Sequence, residues 1–216
     1  LFPKRLHDQL NEVQAFVYYK QQIWDSTAYY LQRALPAAAN KTELARWEYL
    51  LGQLYTLLKQ PKEASVYFNK AQTHTTDPVL YIHARIYDAQ LVMNTNGNGL
   101  QQTLGELVKL SKRERFDGFE DVLFYAAGTT ALQIPDTAYA KSLFLQSVKY
   151  GENTSSSTRN KSYLKLASIA LKQRDYTLAS SCYDSLNYQD PLLADQREVL
   201  EAKQTLLKEK HQGLLF

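Results

Sequence analysis

The 216-residue chain carries 25 basic and 22 acidic side chains, a formal charge of +3, too small and too scattered for a nucleic-acid or membrane-surface footprint. Only 8 Gly and 6 Pro occur, no stretch alternates apolar and polar residues for long, and Leu, Ala, Gln and Lys recur with a period near 3.6, so the class is all-α. A single cysteine, Cys182, excludes an internal disulfide and a thiolate zinc site, and no apolar run approaches the roughly 18 residues that insert into a bilayer.

In chain order, the first predicted helix pair covers residues 3–36. Ala15 sits at the middle of its first helix and Thr27, 12 residues on, opens its second, with Leu31 four residues later and a turn at Gln22-Ile23-Trp24-Asp25. The second pair, 41–76, repeats this with Gly52, Ala64 and Phe68 around the turn Lys59-Gln60-Pro61-Lys62. A third pair, 78–112, begins in register at Ala84 and Tyr87. Twelve residues past Ala84, however, lies Asn96, inside Asn94-Thr95-Asn96-Gly97-Asn98-Gly99, which predicts a long mobile turn before a shorter helix over 100–110. The fourth pair, 117–151, uses Gly128, Ala140 and Phe144 with the turn Ile134-Pro135-Asp136-Thr137, and a loop is expected from Gly151 to Asn160. The fifth, 159–190, uses Ala167, Ala179 and Tyr183, and a final helix over 192–210 either closes the array or opens a sixth unit. Asp25-Ser26-Thr27 and Asp136-Thr137-Ala138 fall where helix N-caps are needed.

The 12-residue offset recurs four times, and the units follow at 37, 76 and 39 residues from Thr27 through Ala64 and Ala140 to Ala179. Two helices joined by a tight turn approach closely only where both carry small side chains, and a large residue one turn later fills the gap beside the crossing. A period of about 34 to 40 in paired helices marks a solenoid whose units bury their apolar faces on one another.

These residues carry a resemblance. Gly52-Gln53-Leu54-Tyr55 with Ala64, Tyr67, Phe68 and Ala71, and Leu166-Ala167 with Asp175-Tyr176, Ala179, Tyr183 and Pro191, resemble the tetratricopeptide repeat. That resemblance implies a single right-handed superhelical solenoid over 1–216, with about five helix pairs and a C-terminal helix, and a non-catalytic role in binding another protein or peptide. A narrower likeness lies in Leu6-His7-Asp8-Gln9-Leu10, Gln14-Ala15-Phe16-Val17-Tyr18-Tyr19, Ala28-Tyr29-Tyr30-Leu31, Ala45-Arg46-Trp47 and Tyr183-Asp184-Ser185. These look like the tetratricopeptide region of gliding-motility and type IX secretion lipoproteins (the SprE/PorW type). This implies a periplasmic scaffold, anchored at the outer membrane by a lipidated N-terminus outside the given sequence, with secretion-complex subunits as partners. A start at Leu-Phe-Pro and an apolar end at Gly213-Leu214-Leu215-Phe216 fit an internal piece of a longer polypeptide.

Chemistry is hard to find. His7, His74, His83 and His211 are dispersed, without a second His at metal-helix spacing, and no Gly-rich phosphate loop occurs. Glu120-Asp121 and Asp88 lack partners at a spacing that would split their pKa values for acid–base work. No enzyme and no cofactor is expected.

In such a solenoid the first helix of each pair lines the concave face, and positions −3, +1 and +4 from the small residue fall on one stripe. That stripe supplies the candidate groove: Glu12, Phe16, Tyr19; Tyr49, Gln53; Tyr81, Arg85, Asp88; Tyr125, Thr129, with Arg46 flanking. Tyr49, Tyr81 and Tyr125 occupy one equivalent position, and aromatic anchors among adaptable polar groups suit a protein surface. The competing function, a carbohydrate- or nutrient-binding lipoprotein of the SusD type, would need aromatic platforms, for which only Trp24 and Trp47 are available among tryptophans.

Overall fold

The computed structural model describes the backbone of residues 4–93, 99–153 and 157–213, and the side chains of 9–91, 99–152 and 157–209. Among the described residues there is no strand. Helices α1 (Lys4–Lys20) and α2 (Trp24–Ala34), α3 (Lys41–Leu57) and α4 (Pro61–His74), α5 (Pro78–Met93) and α6 (Gly99–Leu110) follow one another. Then come α7 (Glu120–Gln133) and α8 (Thr137–Tyr150), α9 (Thr158–Lys172) and α10 (Tyr176–Asp184), and finally α11 (Arg197–Gly213). The chain divides within α6 into two compact units, unit 1 ending at Thr103 and unit 2 beginning at Leu104. The expected turn at 94–98 lies outside the described residues, and Gly99, assigned to that turn, already belongs to α6.

In unit 1, α1 packs on α2, α3 on α4, and α2 and α4 each on the helix that follows. The crossing expected at Gly52 exists, but the ring of Phe68 rather than Ala64 lies against the glycine. A methyl group placed on Gly52 would come 2.6 Å from that ring. Phe68, Ala64, Ala71 and Ala84 form one fully buried cluster, and Ala15, Ala28, Leu31, Leu51, Leu54 and Tyr67 form another.

Unit 2 repeats the device, with a methyl on Gly128 meeting the Phe144 ring at 2.7 Å. Behind it a buried polar chain joins three helices: the Ser147 hydroxyl donates to the Asp121 carbonyl and lies 2.8 Å from the Ser162 hydroxyl. The loop expected to reach Asn160 ends earlier. Helix α9 starts at Thr158, and Asn160 is buried on it, donating to the Asn187 carbonyl and Asp190 carboxylate and accepting from the Asn187 N–H. A long-range partner 27 residues away outweighed the polar composition that suggested a loop.

The turns repeat as faithfully as the crossings. Seven residues after Ala15, Gly52 and Ala167 comes a left-handed residue, Gln22 (φ 60), Lys59 (φ 58) and Arg174 (φ 59), and Pro135 holds the same place after Gly128. The next N–H then reaches back five residues, from Ile23 to Tyr18, Gln60 to Tyr55, Asp136 to Ala131 and Asp175 to Ala170, at 2.9–3.0 Å. This is the Schellman closure, which glycine usually serves because L side chains are strained there. N-caps open two of the second helices: Asp136 and Asp175 accept from Tyr139 N–H and Leu178 N–H, each at 3.0 Å. Asp25 does not cap α2. The cap position is Ile23, whose carbonyl takes the Thr27 hydroxyl, while Asp25 accepts from its neighbour Ser26.

Candidate protein-binding groove

On α1, Glu12, Phe16 and Tyr19 lie at steps of four and three and so share one face. On α3, Leu50, Gln53 and Leu57 do the same. Two adjoining cavities form between these faces in unit 1. One, of about 280 Å3, is lined by Glu12, Phe16, Tyr19 and Lys20 of α1, Thr27 and Leu31 of α2, and Trp47 and Leu50 of α3. The other, of about 320 Å3, is lined by Tyr19, Trp24, Leu50, Gln53, Thr56, Leu57 and Tyr87. Tyr19 and Leu50 separate them. Phe16 and Leu57, one at each cavity, are each 60 % exposed and extend the apolar lining of the cavities to the surface.

The electrostatics are sparse. Glu12 and Lys20 are the two charged side chains that line these cavities. Lys20 stands 5.3 Å from the centre of the Phe16 ring. Trp24 and Trp47 are half-buried between helices; Trp24 meets the Tyr19 ring edge-on at 5.8 Å.

The other candidate residues are placed differently. Tyr49 packs on Phe68 at 5.7 Å and on Tyr87 at 6.1 Å, and burial, with a smaller contribution from Tyr87, pushes its phenol up to about 12. In unit 2, Tyr125 packs on Phe144 at 5.9 Å, and burial likewise raises its pKa. Both tyrosines therefore cover the phenylalanine that fills the glycine crossing. Asp88 is only 6 % exposed and holds α5 to α4, accepting from the Ser65 hydroxyl and from Asn69 at 3.1 Å; it does not present its carboxylate to a groove. Tyr81 and Arg85 are half-buried and already engaged, Arg46 is exposed, and the half-buried Thr129 hydroxyl donates to the Ala126 carbonyl at 2.7 Å.

Sequence reasoning missed Leu50, Leu57 and Tyr87 as lining residues. The available signal was the 50–53–57 stripe, one position beside the stripe counted from Gly52. It also missed the pairing of buried Glu48 with His74 Nδ1 at 2.7 Å, made across 26 residues. Among the described residues no cluster of three His, Cys, Asp or Glu could hold a metal ion, and no helix is long and apolar enough to cross a membrane. Cys182 is buried, and desolvation pushes its thiol up to about 11, which keeps it protonated at neutral pH.

Unit 2 contains a cavity in the same register, of about 510 Å3, lined by Leu171, Tyr176, Lys203, Leu206, Leu207 and Glu209. Leu171 stands four and Tyr176 nine residues past Ala167, as Tyr19 and Trp24 stand past Ala15. On α11, Thr205 falls 38 residues after Ala167, one period on, so α11 occupies the place of the first helix of a further repeat.

A tetratricopeptide-repeat model matches residues 49–73, from the middle of α3 to the end of α4. No curated protein matches the chain. Among solved structures, PilF of Pseudomonas aeruginosa is 17% identical, with 98% of this chain and 94% of that chain covered and a TM-score of 0.54. The apo form of the quorum sensor NprR from B. thuringiensis is 16% identical, with a TM-score of 0.57 over 89% of this chain; the match spans 55% of the length of NprR. At such identities the likeness shows the fold, a helical repeat array containing a tetratricopeptide repeat.

Proposed function

We propose that this chain is a non-catalytic scaffold that grips a segment of another protein in the unit 1 groove. The observation that carries this reading is the pair of adjoining apolar cavities with Phe16 and Leu57 left exposed at their mouths. A few well-packed side chains, aromatic ones above all, supply most of the energy in protein interfaces. A photo-crosslinking residue placed at Phe16 or at Leu57 should capture the same partner, and one at Val66 on α4 should not. Capture from Val66 alone would move the interaction to the other face. Once the partner is captured, the double variant Phe16→Ala/Leu57→Ala should stay helical and bind at least about tenfold more weakly.

The setting we propose is the periplasm, with the chain a component of a gliding or type IX secretion machine, anchored at the outer membrane through a lipidated N-terminus and in contact with its outer-membrane subunits. Support for this is the sequence likeness around Gln14–Tyr19, Ala28–Leu31 and Ala45–Trp47. Fractionation of cells carrying the tagged protein tests it, and a cytoplasmic pool with no membrane-associated fraction would overturn it.

A further inference from the structure

Resting on that groove and naming the protein it grips, we infer that the occupant of the first cavity is a second copy of this chain, docked antiparallel through the exposed face of α1. Leu10, Val13, Phe16 and Tyr19 recur there every three residues, each between 44 % and 60 % exposed. Glu12 and Lys20 are exposed beside them, both line the first cavity, and Lys20 stands over the Phe16 ring. That cavity, of about 280 Å3, lies just below the usual range for a small-molecule site and suits a single aromatic ring.

The face is symmetric about Phe16, with the charge signs exchanged. Val13 stands three residues before it and Tyr19 three after, Glu12 four before and Lys20 four after. Steps of three and four keep these side chains on one side of the helix. An isologous contact requires that where one residue meets a second, the second also meets the first. A twofold axis at the level of Phe16, between antiparallel copies of α1, satisfies this. Phe16 then lies against the second copy's Phe16, Val13 against its Tyr19 and Glu12 against its Lys20, and the last two contacts each occur twice. The ion pairs fall about 6 Å to either side of the axis, at roughly 1.5 Å per residue, and bracket the aromatic centre. Charge also fixes the direction, because parallel copies in register would set Glu12 on Glu12 and Lys20 on Lys20. Each Phe16 ring enters the other copy's cavity beside Trp47 and Leu50.

Sedimentation velocity of the whole protein tests this. At low salt the protein should reach twice the monomer mass as its concentration rises. Glu12→Lys alone and Lys20→Glu alone each turn both ion pairs into repulsions, and each should weaken self-association about tenfold, an effect that narrows as salt rises. An equimolar mixture of those two variants should dimerise like the unaltered protein, because every pairing across the axis is then opposite in sign. Both positions are exposed, and circular dichroism establishes that each variant remains folded. A protein that stays monomeric, or a dimer indifferent to the single reversals or unrestored by mixing, overturns the proposal. In that event, crosslinking of a different protein from both Phe16 and Leu57 leaves the groove standing with another occupant, and no capture from either position removes the groove as well.

Discussion

In unit 1 the cavity between the first and second helix pairs is closed by Trp24, Leu50 and Leu57, whereas its register counterpart in unit 2 carries Tyr176, Lys203 and Glu209. The crossings beneath are near copies: Gly52 under Phe68 with Tyr49 over the ring, and Gly128 under Phe144 with Tyr125 over the ring. The buried half of a repeat has one close-packed solution, so the same residue types return wherever the solution is used. The open half is constrained only by what it touches. No charged side chain lines this unit 1 cavity, whereas Lys203 and Glu209 line its unit 2 counterpart, which argues for different contacts at the two places. Leu206 is 61 % exposed at the unit 2 cavity, and in the repeat register it stands where Gln53 stands in unit 1.

The largest effect that sharpens this comparison is at the crossings. Gly52→Leu and Gly128→Leu should each destabilise by about 3 kcal/mol, the upper range for overpacking, because the incoming side chain must displace a buried phenylalanine. Denaturant unfolding of the two variants checks it. A loss in one and none in the other would break the equivalence of the units.

A smaller effect of opposite sign is expected at the turns. Lys59→Gly in unit 1 and Arg174→Gly in unit 2 should each stabilise by about 0.5–1 kcal/mol, since glycine removes the strain of a side chain at φ near +60. Midpoint shifts in thermal melts would show it. A fall in stability would mean that the turn side chains make contacts worth more than the strain they carry.

The smallest effect is confined to alkaline solution. Burial raises the folded pKa of Tyr49 from 10.0 to about 12, so its contribution to stability is complete below pH 10 and is lost as pH rises towards 12. Tyr49→Phe should flatten the decline of stability in that window, and Tyr125→Phe should do the same in unit 2, where the shift has the same cause and direction. A slope unchanged by either substitution would show that the rings do not stay packed on Phe68 and Phe144.

The array was legible because its signals are local. A small residue, a second 12 positions on and a large one four later all sit within two helices, and backbone geometry converts that spacing into a crossing. The turn residues were harder to read, because left-handed conformation at Gln22, Lys59 and Arg174 has no mark in side chains that ordinarily avoid it. Asp88 shows the other limit. As an acid on a helix stripe it counts as groove-facing, and only its bonds to Ser65 and Asn69 on α4, about 20 residues away, reveal that it is buried.

By itself the sequence determined the helical class and the repeat register, since each follows from residue size at fixed separations along one or two helices, whereas packing decided that Phe68 rather than Ala64 lies against Gly52. Tertiary structure decided which aromatic rings belong to the interior and which to the surface. Tyr49, Tyr125 and Phe16 carry similar apolar bulk, yet Tyr49 and Tyr125 pack on Phe68 and Phe144 while Phe16 stands exposed beside Lys20. A helical stripe fixes only the direction of a side chain from its own axis. Whether a neighbouring helix stands in that direction depends on how the pairs stack, and so the groove emerged only once α1, α3 and α5 were in place around Tyr19 and Leu50.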